Sequence, residues 1–384
     1  MSVSKSVMIF SGLAAATLVA GALVLALDLF PNPFAAPASA PAPVQRVNQV
    51  TVPVTTPAEA PVEALVGPSA EAPVAATPQA VPVPPATVLA ATVQPATAKA
   101  AAEIPLPGPG EAQAAPVPGG GAALAWKPGA PWNFKAYQAA MRQSGRESEL
   151  SESAFAELQA RKATAMLAIE SYLKRRFGKA DENVLRAFRE LPREYFHYDY
   201  QRKKSFASNC YEPAPKPWAI GYGSALSDYL GQAYMTQLCR PRPGDTVLEI
   251  GTGSGFQSSL LSRIVKSVYS VEIIKPLGTE VAKIYQPLGL DNVRTRVGDG
   301  YFGWPEVEGG FDIIMVTCVA RYVSPELLKQ LKPEGRLIVP IGQPFKKGQV
   351  LYVFTKDKAG KVHSRKDMGV FFIPMTGKIL AGTP

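Results

Sequence analysis

Apolar and polar positions fall into three regimes along the chain. From Ser6 to Leu27 no charged residue occurs in 22 positions. A helix of that length spans about 30 Å, the hydrocarbon thickness of a bilayer. The pattern therefore predicts a single-pass transmembrane helix within residues 1–30. The competing reading is a signal sequence cleaved after Ala38-Ser39-Ala40, although Pro41 would follow the cut and the run exceeds a typical signal core. Residues 31–130 show no period. They mix Ala, Pro, Val and Thr in irregular order, hold 21 of the 37 prolines, and lack Phe, Trp and Tyr from 41 to 125. Without aromatics such a stretch buries too little apolar surface to offset the entropy of ordering, so it reads as a disordered linker.

Periodicity resumes after Pro131 and predicts one domain over 131–384. Phe155, Leu158, Ala165, Met166, Ile169, Tyr172 and Leu173 lie near helical spacing between Glu149 and Phe177, before Gly178. Lys162 interrupts that stripe; its stem can lie along apolar surface with the charge in water. A short helix over 181–188 breaks before Pro192. From Thr246, short apolar runs alternate with amphipathic ones. Strands are predicted at 247–250, 268–272, 293–297, 311–316 and 337–339, with helices at 256–265 and 325–331. Continuous apolar strands separated by helices imply a parallel sheet covered on both faces. Runs at 350–355 and 368–373 then read as hairpin strands, an antiparallel edge. The fold class is α/β, doubly wound and Rossmann-like, with an antiparallel C-terminal edge, preceded by helices, the linker and the membrane helix.

Composition narrows the chemistry. Cys210, Cys239 and Cys318 are too scattered for a disulfide framework, and His197 and His363 too far apart for a zinc site or a histidine relay. The chain carries a net +9, and because residues 1–125 are net −3, the remainder carries +12. Those cations are dispersed, which suits a solvated face favouring anionic substrates, not a nucleic-acid stripe.

The strand at 247–250 opens into Glu249-Ile250-Gly251-Thr252-Gly253-Ser254-Gly255. A dinucleotide fingerprint would require glycine where Phe256 stands, and a phosphate-binding Walker loop would require Lys where Phe256-Gln257 follows. Backbone without Cβ atoms lets a ligand approach closely, and an acid just before it suits a cationic ligand. A nucleoside with a positive centre fits both, namely S-adenosyl-L-methionine. Glu272 ends the second strand and is placed to accept ribose hydroxyls; Asp299 ends the third, beside Gly300, and is placed to accept the adenine amino group. The expected cofactor set is thus Glu249, Gly251, Thr252, Gly253, Ser254, Gly255, Glu272, Asp299 and Gly300, against the plainer reading of a glycine turn with capping acids.

From about Arg161 to Gly377 the chain resembles the protein-L-isoaspartate O-methyltransferase family of class I methyltransferases. The resemblance rests on the segment 247–257, on Gly298-Asp299-Gly300-Tyr301-Phe302-Gly303-Trp304-Pro305, on 311–317 and on 331–337. Val184–Phe196 and Ile220-Gly221-Tyr222-Gly223 are similar to its upstream segments. The resemblance implies attack of a substrate carboxylate on the sulfonium methyl, giving an ester on L-isoaspartyl or D-aspartyl residues of damaged proteins or peptides. The ester then collapses to a succinimide, a repair reaction. A carboxylate is already ionised near neutral pH, so positioning matters more than a general base.

Where the family's substrate loop continues Gln-Thr-Ile-Ser, this chain has Ser224-Ala225-Leu226-Ser227, followed by Asp228. By resemblance Ser227 is the catalytic serine, with Gly223, Ser224 and Asp228 in the substrate loop. Asp228 facing the pocket would repel an incoming carboxylate; turned outward it would cap the helix beginning at Tyr229. Cys318 and Val319 replace small alanines, and Cys318 reads as a buried apolar residue. The expected partners are a carboxylate-bearing protein or peptide and a membrane, with a monomeric catalytic domain. Two other readings stay open: a non-catalytic cofactor-binding module, and a methyltransferase for another carboxylate. Lys5 before the apolar run and Asp28 after it place the domain outside the membrane, whereas cofactor supply favours the cytoplasm.

Overall fold

The computed structural model describes Trp126 and residues 130–381. The predicted membrane helix and nearly all of the linker lie outside the described residues. Among the described residues no helix is long and apolar enough to cross a membrane.

Helix α1 (Phe134–Gln143) starts where the Asn133 side chain accepts from Ala136 N. Helix α2 (Glu152–Phe177) is capped by Ser151 and stopped by left-handed Gly178. The Lys162 ammonium does not extend into water: Nζ donates to the carbonyls of Arg189 and Leu191 at 2.8 and 3.1 Å, closing the C-terminus of α3 (Glu182–Glu190). Burial pulls its pKa down. A single 3-10 turn, Arg193–Phe196, follows, within a stretch (Leu191–Tyr200) in which every residue is buried. Two small antiparallel pairs come next, β1 (Tyr198–Asp199) with β2 (Lys204–Ser205) and β3 (Trp218–Gly221) with β4 (Ser224–Leu226). Neither has enough alternation to be seen in sequence.

Helix α4 (Tyr229–Cys239) leads into the main sheet. Its strands are β5 (Thr246–Ile250), β6 (Ser267–Glu272), β7 (Val293–Val297), β8 (Phe311–Val316), β9 (Leu331–Ile341), β10 (Gln349–Lys356) and β11 (Val362–Val370), in the order β11-β10-β9-β8-β5-β6-β7. Strands β7, β6, β5, β8 and β9 are parallel; β10 and β11 are antiparallel. Helices α5 (Phe256–Ser262), α6 (Lys275–Val281) and α7 (Pro325–Gln330) make the crossovers. One apolar core, with Val247, Val268 and Met315, lies under α2, α4 and α5; a second, with Leu248, Val271 and Ile314, lies on the opposite face.

Three boundaries differ from the sequence pattern. Strand β9 begins six residues before Leu337, because its first half runs through the polar Lys332-Pro333-Glu334-Gly335-Arg336 stretch. Helix α5 stops at Ser262. Strand β11 covers 362–370 in place of 368–373, since its first half lies exposed on the sheet edge and carries no apolar signal. All three cysteines are free and buried, and burial drives the Cys318 thiol far above its ordinary pKa.

Candidate active site

Strand order reverses between β5 and β8, so their carboxyl ends diverge and leave a crevice, the place where open parallel sheets bind ligands. The loop Gly251–Gly255 lies in that crevice and is held from several sides. Gly251 N donates to Val271 O (2.9 Å), Thr317 Oγ1 to Gly251 O (2.8 Å), and Gly253 N to Glu272 Oε2 (2.9 Å). A Cβ at Gly251 would meet Thr317 Oγ1 at 2.6 Å, and one at Gly255 would meet Ile284 at 2.5 Å. At Gly253 the nearest atom would be Ser224 Oγ, at an ordinary 3.7 Å. The loop is therefore packed behind and open in front, toward β4. The cradle has the shape a nucleoside cofactor needs.

Glu272 stands at this opening, 5% exposed, with Oε1 accepting from Ile274 N at 3.0 Å. Burial raises its pKa, and the backbone N–H donors partly offset that. Each oxygen keeps a lone pair for a ligand hydroxyl. Asp299, at the neighbouring strand tip, caps the turn Gly300–Phe302: Oδ1 accepts from Tyr301 N (2.9 Å) and Oδ2 from Lys378 N (2.7 Å). The contact with Lys378 brings the C-terminal segment onto the crevice rim, which the sequence did not indicate. Gly300 packs against Ile250, where a Cβ would come within 2.3 Å.

Glu249 differs from the sequence expectation of an acid beside a cationic ligand. It is fully buried one pleat below the loop, beneath α5. Its Oε2 is hydrogen-bonded to Ser270 Oγ at 2.5 Å, and Ser270 Oγ to Thr252 Oγ1 at 2.7 Å. The carboxyl reaches the loop only through these hydroxyls. Ser254 likewise turns inward, 4% exposed, with Oγ accepting from Phe256 N at 3.3 Å. Burial lifts the Glu249 pKa from 4.5 to about 8, against the lowering effect of Ser270 and Ser258. The folded state then binds a proton that the unfolded chain releases above about pH 4.5, so this group's contribution to stability is full below that pH and is lost as pH rises toward 8. Glu249→Gln should remove a slope worth on the order of 4 kcal/mol across that window. Denaturant midpoints of both proteins from pH 5 to pH 9 check this; parallel curves would contradict it.

The substrate loop adjoins the open side. Ser224 is 7% exposed, Gly223 is exposed, and Ser227 is partly exposed at the end of β4. Asp228 is the N-cap of α4: its Oδ1 accepts from Gly231 N at 2.8 Å, which turns the carboxyl into the helix. Ser227 is held through its backbone, because Arg193 Nη2 donates to Ser227 O at 2.6 Å while Nη1 donates to Gln232 Oε1. Arg193 is 3% exposed, lies 4.8 Å from the Phe256 ring centre, and is pulled down to about 10 by burial. Sequence reasoning missed both Arg193 and Thr317. The detectable signal was a charged Arg193-Glu194 pair inside an otherwise apolar and aromatic stretch.

A seven-stranded sheet of this order, with a glycine loop after its central strand and acids at the next two strand tips, defines a class I methyltransferase. A profile of the protein-L-isoaspartate(D-aspartate) O-methyltransferase family matches residues 165–380. Similar proteins are the protein-L-isoaspartate O-methyltransferase 1 of Nitrosospira multiformis, 50% identical over 161 residues (42% of this chain, 67% of the relative), and the protein-L-isoaspartate O-methyltransferase 2 of Syntrophobacter fumaroxidans, 43% identical over 204 residues (53% and 79%). The corresponding enzyme 2 of a Polaromonas species is 38% identical over 198 residues (52% and 90%). The chain belongs to the protein-L-isoaspartate O-methyltransferase family. The activity that comes with membership is S-adenosylmethionine-dependent methylation of isoaspartyl residues in proteins, a repair reaction.

Proposed function

We propose that the crevice between the glycine loop and the substrate loop is where an isoaspartyl carboxylate is methylated, and that Ser227 is the residue that orients it. S-adenosylmethionine, when bound, supplies an electrophilic methyl group. Gly251–Gly255 would cradle it, Glu272 would take the ribose hydroxyls, and Asp299 with Gly300 would face the adenine. The observation that carries this reading is the approach of Ser224 and Ala225 to Gly253, which sets the substrate loop directly against the open side of the cradle. No histidine stands among the residues assigned here, and none is required, because the acceptor carboxylate is ionised at neutral pH. What the chain contributes is orientation of that oxygen and exclusion of water. With Asp228 turned into α4, its charge does not confront the substrate, so it raises no barrier to an isoaspartyl carboxylate.

The test is incubation of the full-length chain with methyl-labelled cofactor and an isoaspartyl peptide, scoring base-labile label. Cofactor binding without transfer would favour the non-catalytic module. Ser227→Ala should leave cofactor affinity within twofold and lower turnover about tenfold or more, the order lost with one orienting hydrogen bond. Unchanged turnover would take Ser227 out of the catalytic set.

The apolar run at 6–27 supports a further reading of the same enzyme as single-pass and tethered through residues 31–130. Reporter fusions after residues 30 and 130 decide on which side of the membrane the domain works.

A further inference from the structure

The carboxyl edge of the sheet continues past the cofactor loop. After β8 the chain passes from Thr317, bonded to Gly251, to exposed Arg321. Paired backbone fixes the path: Val319 N donates to Ile373 O and Met375 N to Val319 O, both at 2.8 Å, and Ala320 N donates to Pro340 O at 2.9 Å. Arg321 then lines a cavity of about 660 Å³ with Gly342, Gln343 and Pro344, which follow the carboxyl end of β9. Four peptide steps separate Thr317 from Arg321, so the two lie at most about 14 Å apart, the reach of four residues of extended peptide. The neighbouring turn carries Phe345, 60% exposed and held at φ +58°, a strained conformation for a bulky side chain. Lys346 and Lys347 follow it. Among the described residues, Arg321, Lys346 and Lys347 form no ion pair.

We propose that this cavity is a subsite for an acidic side chain of the polypeptide substrate, three or four residues from the carboxyl being methylated, with Arg321 as the specificity-determining residue. The proposal rests on the reading of the crevice given above. Its basis is complementarity: a planar guanidinium with no ion-pair partner among the described residues presents a fork that fits a carboxylate with two hydrogen bonds. Lys346 and Lys347 add positive potential at the mouth. The exposed aromatic ring offers apolar cover for the stem of the incoming side chain. Because Arg321 sits four residues along the chain from Thr317, and Lys346 and Lys347 in the turn after Pro344, these cations alter which peptides bind without altering the transfer step.

The experiment uses the full-length chain at saturating cofactor and a set of isoaspartyl peptides. Each carries one Glu at a position from five residues before to five after the isoaspartate, with a Gln counterpart. The expected result is a KM about five- to tenfold lower for Glu than for Gln at one position three or four residues away, with equal kcat. That gap should shrink at high salt, on the order of 0.5 M. It should close in the Arg321→Gln/Lys346→Gln/Lys347→Gln variant, whose kinetics on the Gln peptides stay unchanged. Equal KM values across the set, or a gap that survives in the variant, would overturn the subsite while leaving the methyltransferase reading intact. Absence of turnover with every peptide would overturn both.

Discussion

Replacing Glu272 by alanine should weaken cofactor binding at least a hundredfold. The carboxylate does two things at once. Its two oxygens accept from the amides of Gly253 and Ile274, and each keeps a lone pair for a ligand hydroxyl. A hydrogen bond to a charged group contributes about 1.5–3 kcal/mol, so losing two ligand contacts alone corresponds to about two orders of magnitude or more in affinity. The alanine variant also leaves the Gly253 amide without its partner, loosening the loop that shapes the site. Glu272→Gln separates the two effects: it keeps a single side-chain acceptor and should fall between wild type and alanine. Calorimetric titration with the cofactor, beside thermal unfolding of each variant, reads this directly. A dissociation constant within threefold of wild type in a folded Glu272→Ala protein would remove Glu272 from the site.

The second large effect is expected at Arg193. This guanidinium is buried without a carboxylate among its hydrogen-bond partners, joining the carbonyl of Ser227 to the side chain of Gln232, while its Nε is buried with no partner. Its sequence neighbour Glu194 accepts from Trp132, Gln159 and Tyr211 at 2.8, 2.7 and 2.9 Å. One 3-10 turn therefore fastens the substrate loop on one side and the N-terminal helices on the other. Arg193→Met relieves a buried charge but orphans the Ser227 carbonyl and the Gln232 amide, each at a cost of about 1–3 kcal/mol. Turnover should fall by about ten- to a hundredfold with cofactor affinity within threefold, because the loss is in the position of Ser227 and not in the cradle. Arg193→Lys, which keeps the charge but can reach only one of the two acceptors well, should recover part of the rate. If methionine and lysine behaved alike, or if cofactor affinity fell with turnover, Arg193 would be a general core residue and not a positioning one.

The helical and parallel-strand pattern after residue 131 was legible because burial on two faces forces continuous apolar runs, and most of the strand runs end at glycine or an acid. Glu272 and Asp299 were legible for the same reason: an acid that closes an apolar strand stands out. The substrate loop was found by resemblance, and its Asp228 had two readings that differ only by rotation of one side chain.

By itself, the sequence determined the chain order of the strands in the main sheet, the glycine loop and the acids at the strand tips, since each depends on neighbours close along the chain. Only the tertiary structure decided which way those groups face. It turned Glu249 under the loop through Ser270, turned Asp228 into a helix cap, and placed Arg193 against Ser227 across 34 positions. The reason is that a side chain's partner is set by packing between elements distant in sequence, and no local pattern of residue types carries that information.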